Sequence, residues 1–125
     1  MMQGELFAII TDKNFKKEVL DNAGPVMVEV GADWCGACHI MAPIIEKLAF
    51  RYKGRIKIGK VDIDRNKKVA REYGVNELPL LLFFNHGRIV DHVIGPVSTD
   101  ALEARLKALL QTETKQKDEP NEKTT

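Results

Sequence analysis

The stretch Val26-Met27-Val28-Glu29-Val30, set between Pro25 and Gly31, constrains the fold more than any other part of the chain. It is too short for a stable helix, rich in β-branched residues, and apolar at both odd and even positions. A strand that alternates apolar with polar can lie on a surface; one that is apolar on both sides must be covered on both, as central strands of α/β sheets are. A layered α/β domain follows. Glu29 is the one interruption, and it shares a strand face with Met27, so its carboxylate is expected to point into the protein. An edge-strand acid reaching solvent is the competing reading.

The flanking segments supply the covering layers. Leu6 to Ile10 reads as a short strand, and Thr11 or Asp12 can cap a helix that runs to about Leu20 and is closed by Gly24 and Pro25. Met41, Ile44, Ile45, Leu48 and Tyr52 recur at spacings of three and four, which predicts a helix from Cys35 to Tyr52 that Pro43 should kink. Ile56 to Ile63 reads as a second central strand, and Asn66 to Tyr73 as a short helix stopped by Gly74. Leu80 to Phe84 and Arg88 to Ile94 make an antiparallel hairpin about Asn85, His86 and Gly87. Ser98 can cap a last helix whose core face is Leu102, Leu106 and Leu109.

The order β, α, β, α, β, α, β, β, α gives a central mixed five-stranded sheet flanked by four helices on both faces. No apolar residue occurs from Thr112 to Thr125. Residues 1–111 are therefore expected to form one domain and residues 112–125 a disordered polar tail.

A chain of 125 residues with 44% hydrophobic residues can bury a core without disulfide staples. Its only two cysteines, Cys35 and Cys38, thus read as reactive, and a lone CxxC points to redox or metal chemistry in a reducing compartment. A formal charge of +1, few aromatics and no polybasic run argue against nucleic acid or a membrane surface as partners. The apolar run Leu6 to Ile10 is too short for a secretory or membrane segment, so a cytoplasmic location is expected.

Residues three apart lie on one face of a helix, so Cys35 and Cys38 in a first helical turn can close a short disulfide and reopen it with no bound cofactor. Cys35 is expected to be exposed at the helix start, among unpaired backbone N–H groups that favour thiolate over thiol. Cys38 lies one turn deeper. His39, four residues after Cys35, could add a switchable positive charge beside the thiolate; a solvent-facing residue of little influence is the plainer reading.

Several features now fall in a recognisable order: Trp34 before the cysteines, Pro43 five residues after Cys38, Lys60 in the next strand, Leu78 and Pro79 ahead of an apolar strand, Gly87 in the hairpin and Gly95 near its end. From Leu6 to Leu110 the chain resembles the thioredoxin family. The resemblance implies a thioredoxin-like fold and a thiol-disulfide oxidoreductase that reduces protein disulfides by dithiol exchange. It also implies a thioredoxin reductase as electron donor, with disulfide-containing proteins as substrates; a monomer is expected.

In that scheme Cys35 is the nucleophile and Cys38 the resolving cysteine. Glu29 stands where the family usually has a buried Asp and would accept the Cys38 proton, directly or through a water, with Lys60 able to draw its carboxylate away. The peptide bond before Pro79 would be cis and lie against the sulfurs, leaving the Leu78 backbone free to pair with a substrate strand. Trp34, Leu78, Pro79, Gly95 and Pro96 would form an apolar rim. Gly36 and Ala37 replace the family's common Gly-Pro, and the Ala37 N–H is expected as an extra donor near the Cys35 sulfur, so Ala37→Pro should give a stronger reductant. His39 replaces the usual Lys or Arg.

Three other functions fit parts of the same sequence. Cys35 to His39 spells a CxxCH haem-attachment string. Cys35 and Cys38 could join His86 and His92 around zinc. The domain could also be a thioredoxin-fold interaction module whose cysteines never turn over.

Overall fold

In the computed structural model residues 6–118 are described, residues 113–118 by backbone alone. The elements are β1 (Ala8–Ile9), α1 (Lys16–Leu20), β2 (Pro25–Gly31), α2 (Gly36–Arg51), β3 (Lys57–Asp62), α3 (Lys67–Glu72), β4 (Leu80–Asn85), β5 (Arg88–Ile94) and α4 (Thr99–Asp118). The sheet runs β1-β3-β2-β4-β5. β3 lies parallel to both β1 and β2, whereas β4 runs antiparallel to β2 and β5. It is the mixed five-stranded sheet with four helices that the sequence pattern predicts.

β2 sits at the centre, and its alternation divides the core. Val26, Val28 and Val30 pack on one face with Phe15 and Val19 near α1 and Val69 of α3. Met27 packs on the other with Met41, Ile45 and Leu48 of α2 and Leu102 and Leu106 of α4. A helix pair covers each face, and each buried Val or Leu side chain contributes roughly 1.5–3 kcal/mol of transfer free energy. Between β4 and β5, His86 (φ 53°) and Gly87 (φ 77°) both take positive φ, the conformation that a two-residue hairpin turn needs to match strand twist.

The structure departs from the sequence expectations in the first helix. The strand before it is shorter than Leu6 to Ile10, and α1 begins only at Lys16 and is wound with i→i+5 bonds, Asp21 N–H donating to Lys16 C=O at 2.8 Å. Neither expected cap serves it. Thr11 Oγ1 accepts from the Asn14 N–H at 3.1 Å, closing a local turn. Asp12 reaches across the fold instead, its carboxylate accepting from the N–H groups of Lys68 and Val69 at 3.2 and 2.9 Å. Asp12 therefore caps α3, whose own N-cap residue Asn66 makes no cap bond. Asn66 Oδ1 answers by accepting from the Asp12 N–H at 2.8 Å. The exchange ties the loop after β1 to the start of α3.

At the other end, Ser98 Oγ accepts from the Ala101 N–H at 3.1 Å, the expected cap. Arg105 clamps Asp91 of β5 with contacts of 2.7 and 2.8 Å. α4 continues to Asp118, into the stretch expected to lack structure, so Thr112 is not a helix end. Lys, Glu and Gln are good helix formers even without an apolar face. The rest of the expected tail, residues 119–125, lies outside the described residues.

Candidate active site

β2 delivers the chain to the sulfur pair. After Gly31 a short loop leads to Cys35, which is the N-cap of α2 with extended backbone (φ −89°, ψ 108°), so its side chain faces the first turn. The Cys35 sulfur accepts from the Cys38 N–H at 3.1 Å. Cys35 and Cys38 are joined in a disulfide. α2 then runs unbroken through Pro43, whose absent N–H is tolerated inside the helix.

Cys35 is not exposed as the sequence reading expected. Cys35 is 6% and Cys38 8% exposed. A turn leads into the helix start, with the Cys35 N–H donating to Ala32 C=O at 3.1 Å. Exposure belongs to the neighbour: Trp34 is 67% exposed. Its indole N–H donates to Asp64 Oδ2 at 2.9 Å and holds the ring beside the sulfur loop. The sequence reading missed Asp64, and no spacing signal marks it, because its partner lies thirty residues away.

The donor at the Cys35 sulfur is also different from the one expected. It is the Cys38 N–H, not the Ala37 N–H. His39 is exposed and turned away to the loop, its Nε2–H donating to Asp33 C=O at 2.7 Å. Both the neutral Nε2–H tautomer and the imidazolium can make that bond, so the contact pins Asp33 to α2 in either charge state.

Glu29 is 6% exposed, which overturns the edge-strand alternative. Its Cα neighbours are Lys60 on β3 and Leu81 on β4. One carboxylate oxygen, Oε1, lies 4.0 Å from Lys60 Nζ. Burial pushes the Glu29 carboxyl above its ordinary pKa, and the Lys60 charge pulls it back only in part. Lys60 Nζ also sits 4.2 Å from the centre of the Phe7 ring, which shares its charge. The other oxygen lies near Gly31, on the Cys38 side: a Cβ built on Gly31 would stand 3.9 Å from Glu29 Oε2 and 3.1 Å from Cys38 Sγ. The extra methylene of Glu lets one side chain address both Lys60 and the cysteine side.

The Leu78–Pro79 peptide is cis, as the resemblance implied, and Gly95–Pro96 is cis as well. The Gly95 N–H donates to Pro79 C=O at 2.9 Å. A Cβ on Gly95 would meet Met41 Sδ at 2.9 Å and Pro79 Cγ at 3.1 Å, so glycine is what lets this strand end close on Pro79 and α2.

A cavity of about 230 Å³ opens beside Cys38 and Glu29. The larger cavity, about 510 Å³ among Phe7, Pro25, Ala49 and Ile56, touches no residue of the sulfur loop and has no cysteine, histidine or carboxylate in its walls. The zinc set is not assembled: among the described residues no three His, Cys, Asp or Glu side chains are placed to hold a metal ion. No described helix is long and apolar enough to cross a membrane.

Residues 6–108 match the family model for thioredoxin. The chain is similar to thioredoxin 1 of Nostoc sp., 43% identical over 100 residues that cover 80% of this chain and 94% of that protein. It is 41% identical to thioredoxin 1 of Synechococcus elongatus over 95 residues, covering 76% of this chain and 89% of that protein. With the thioredoxin of Porphyra purpurea it shares 41% identity over 97 residues, covering 78% and 91% of the two chains.

Proposed function

Since the chain belongs to the thioredoxin family and is a protein-disulfide oxidoreductase, we propose that Cys35 attacks the substrate disulfide and Cys38 resolves the product. The observation that carries this division is the position of Cys35 at the N-cap of α2, its sulfur already accepting the Cys38 N–H. A thiolate there meets both that donor and the positive end of the helix. The thiolate attacks one sulfur of the substrate, the substrate S–S bond breaks, and a mixed disulfide forms on Cys35. Cys38 then loses its proton and attacks the Cys35 sulfur; the substrate leaves as a second thiolate, and the protein is oxidised while its substrate is reduced.

Glu29 is the proton acceptor in the second step. A carboxylate whose pKa is raised by burial is a stronger base when ionised, and the Lys60 charge favours the ionised form. Gly36 and Ala37 form the first turn between the sulfurs, His39 fixes the preceding loop, and Lys60 tunes Glu29. Trp34, Leu78, Pro79 and Gly95 supply the rim on which a substrate chain rests, with the Leu78 backbone as its pairing edge. We assign a thioredoxin reductase as electron donor, disulfide-bearing proteins as substrates, a reducing cytoplasmic setting and a monomeric state. We assign residues 1–111 as the domain on its core contacts, which end with Leu109 and Leu110 of α4 although that helix continues to Asp118.

Trapping tests the roles. With a disulfide-bonded protein substrate, Cys38→Ser should accumulate a covalent adduct visible by mass spectrometry, and Cys35→Ser should give neither adduct nor turnover. Adduct formation by Cys35→Ser would reverse the assignment. Absence of both an adduct from Cys38→Ser and turnover by the unsubstituted chain would favour a binding module over redox exchange, a reading that relatives named as thioredoxins do not favour.

A further inference from the structure

The cavity beside Cys38 has Glu29, Gly31, Cys38, His39, Lys60 and Asp62 in its walls. Neither Cys35 nor any of Trp34, Leu78, Pro79 and Gly95 borders it, so it reaches the sulfur pair from the β3 flank and not from the substrate rim. At about 230 Å³ it is smaller than the roughly 300–1,000 Å³ of typical ligand pockets, yet ample for several waters at about 30 Å³ each. Polar groups suited to hold such waters line it.

Gly31 leaves this space open. Its backbone does not call for glycine, since the positive-φ glycines are Gly54, Gly74 and Gly87. What glycine supplies is room: with the missing Cβ position 3.1 Å from Cys38 Sγ and 3.9 Å from Glu29 Oε2, the sulfur and that oxygen are at most about 7 Å apart. One or two waters span such a gap. Any side chain at residue 31 would begin in contact with the sulfur and within 4 Å of that oxygen.

We propose that Gly31 is a positioning residue for proton release from Cys38: by presenting no side chain it keeps a solvent-holding cavity open between the sulfur, the Glu29 carboxyl and the outside. This rests on the role of Glu29 given above. During resolution the Cys38 proton passes through cavity water to Glu29 and then to bulk solvent, while the sulfur electron pair forms the bond to Cys35 and the substrate thiolate departs. The charged and titratable groups facing this path are Lys60 and Asp62 from β3, Asp33 from the loop and His39 from α2.

The test uses the full chain carrying Cys35→Ser and follows alkylation of Cys38 by iodoacetamide over a pH series. Gly31→Leu should slow alkylation by about tenfold and raise its pH midpoint, because a dry, overpacked site disfavours the thiolate. Gly31→Ala should do the same to a lesser degree. Ala42→Leu fills the cavity from the α2 wall and should act in the same direction; it carries the test if Gly31→Leu fails to fold by circular dichroism. Unchanged rate and midpoint in folded Gly31→Leu, or in Ala42→Leu, would overturn the inference. Glu29→Gln is a separate arm. An unmoved pH profile there sinks the Glu29 role, while slowed alkylation on filling the cavity would still establish the solvent route to Cys38.

Discussion

The two faces of β2 make opposite uses of the same five-residue run. Toward α1 and α3, Val26, Val28 and Val30 are fully buried and meet a ring cluster in which Phe15, Tyr73 and Phe84 lie 5.4 to 6.1 Å apart. Toward α2 and α4, Met27 is equally buried, but the next two residues on that face are Glu29 and Gly31, a carboxyl and a gap. A pleated strand alternates strictly, so one sequence can give a dry, close-packed surface on one side and a polar, hollow one on the other. Both faces carry core, the second through Met27 and its neighbours on α2 and α4, but only the second carries the chemistry. The chemistry is tolerated because the valine face anchors the strand.

Breaking the packed face should cost most. Phe84→Ala should lose about 3–5 kcal/mol in urea unfolding while the folded fraction keeps its rate of disulfide exchange, since Phe84 lies on the face away from Glu29. A slowed exchange rate in the folded fraction would dissolve the separation of the two faces.

Relieving the polar face should do the reverse. Burial raises the Glu29 pKa, so the native state holds that proton more tightly than the unfolded chain does. The stability contributed by the bound proton is full below the ordinary carboxyl range and is lost as pH rises through the raised value. Glu29→Gln should remove this loss, gaining about 1.4 kcal/mol at neutral pH for each unit by which the pKa was raised. Unfolding of both proteins over a pH series checks it; parallel curves would contradict the sign.

Asp12→Ala should cost about 1 kcal/mol by uncapping α3. Its effect should appear in unfolding and leave the redox potential in place. Ala37→Pro should change least. The Cys35 sulfur takes its hydrogen bond from the Cys38 N–H, which the substitution retains, so any fall in potential should stay below about 30 mV, the equivalent of 1.4 kcal/mol. A larger drop in a glutathione equilibration would restore Ala37 N–H as the controlling donor.

What was legible in the chain follows from local periodicity. The strands β2 to β5 and the helices α2 and α3 fall close to where alternation, three-four spacing and turn residues place them, and the Ser98 cap is where its residue type predicts. α1 was misplaced because Asp12 has the type of a cap but finds its partner in Val69, a bond that no local window contains. The anchor of Trp34 on Asp64 was missed for the same reason. The burial of Cys35 was misjudged because a helix start is exposed by default, and only the tertiary packing around it decides otherwise.

By itself the sequence determined the α/β architecture, the redox pair and the inward face of Glu29, because each depends on spacing along a single strand or helix. Only the tertiary structure decided which helix Asp12 caps, which oxygen of Glu29 faces Lys60 and which lies near Gly31 on the Cys38 side, and that Gly31 leaves a cavity at Cys38. Those facts are distances between elements far apart in the chain. They are fixed by packing and burial, which no residue carries alone.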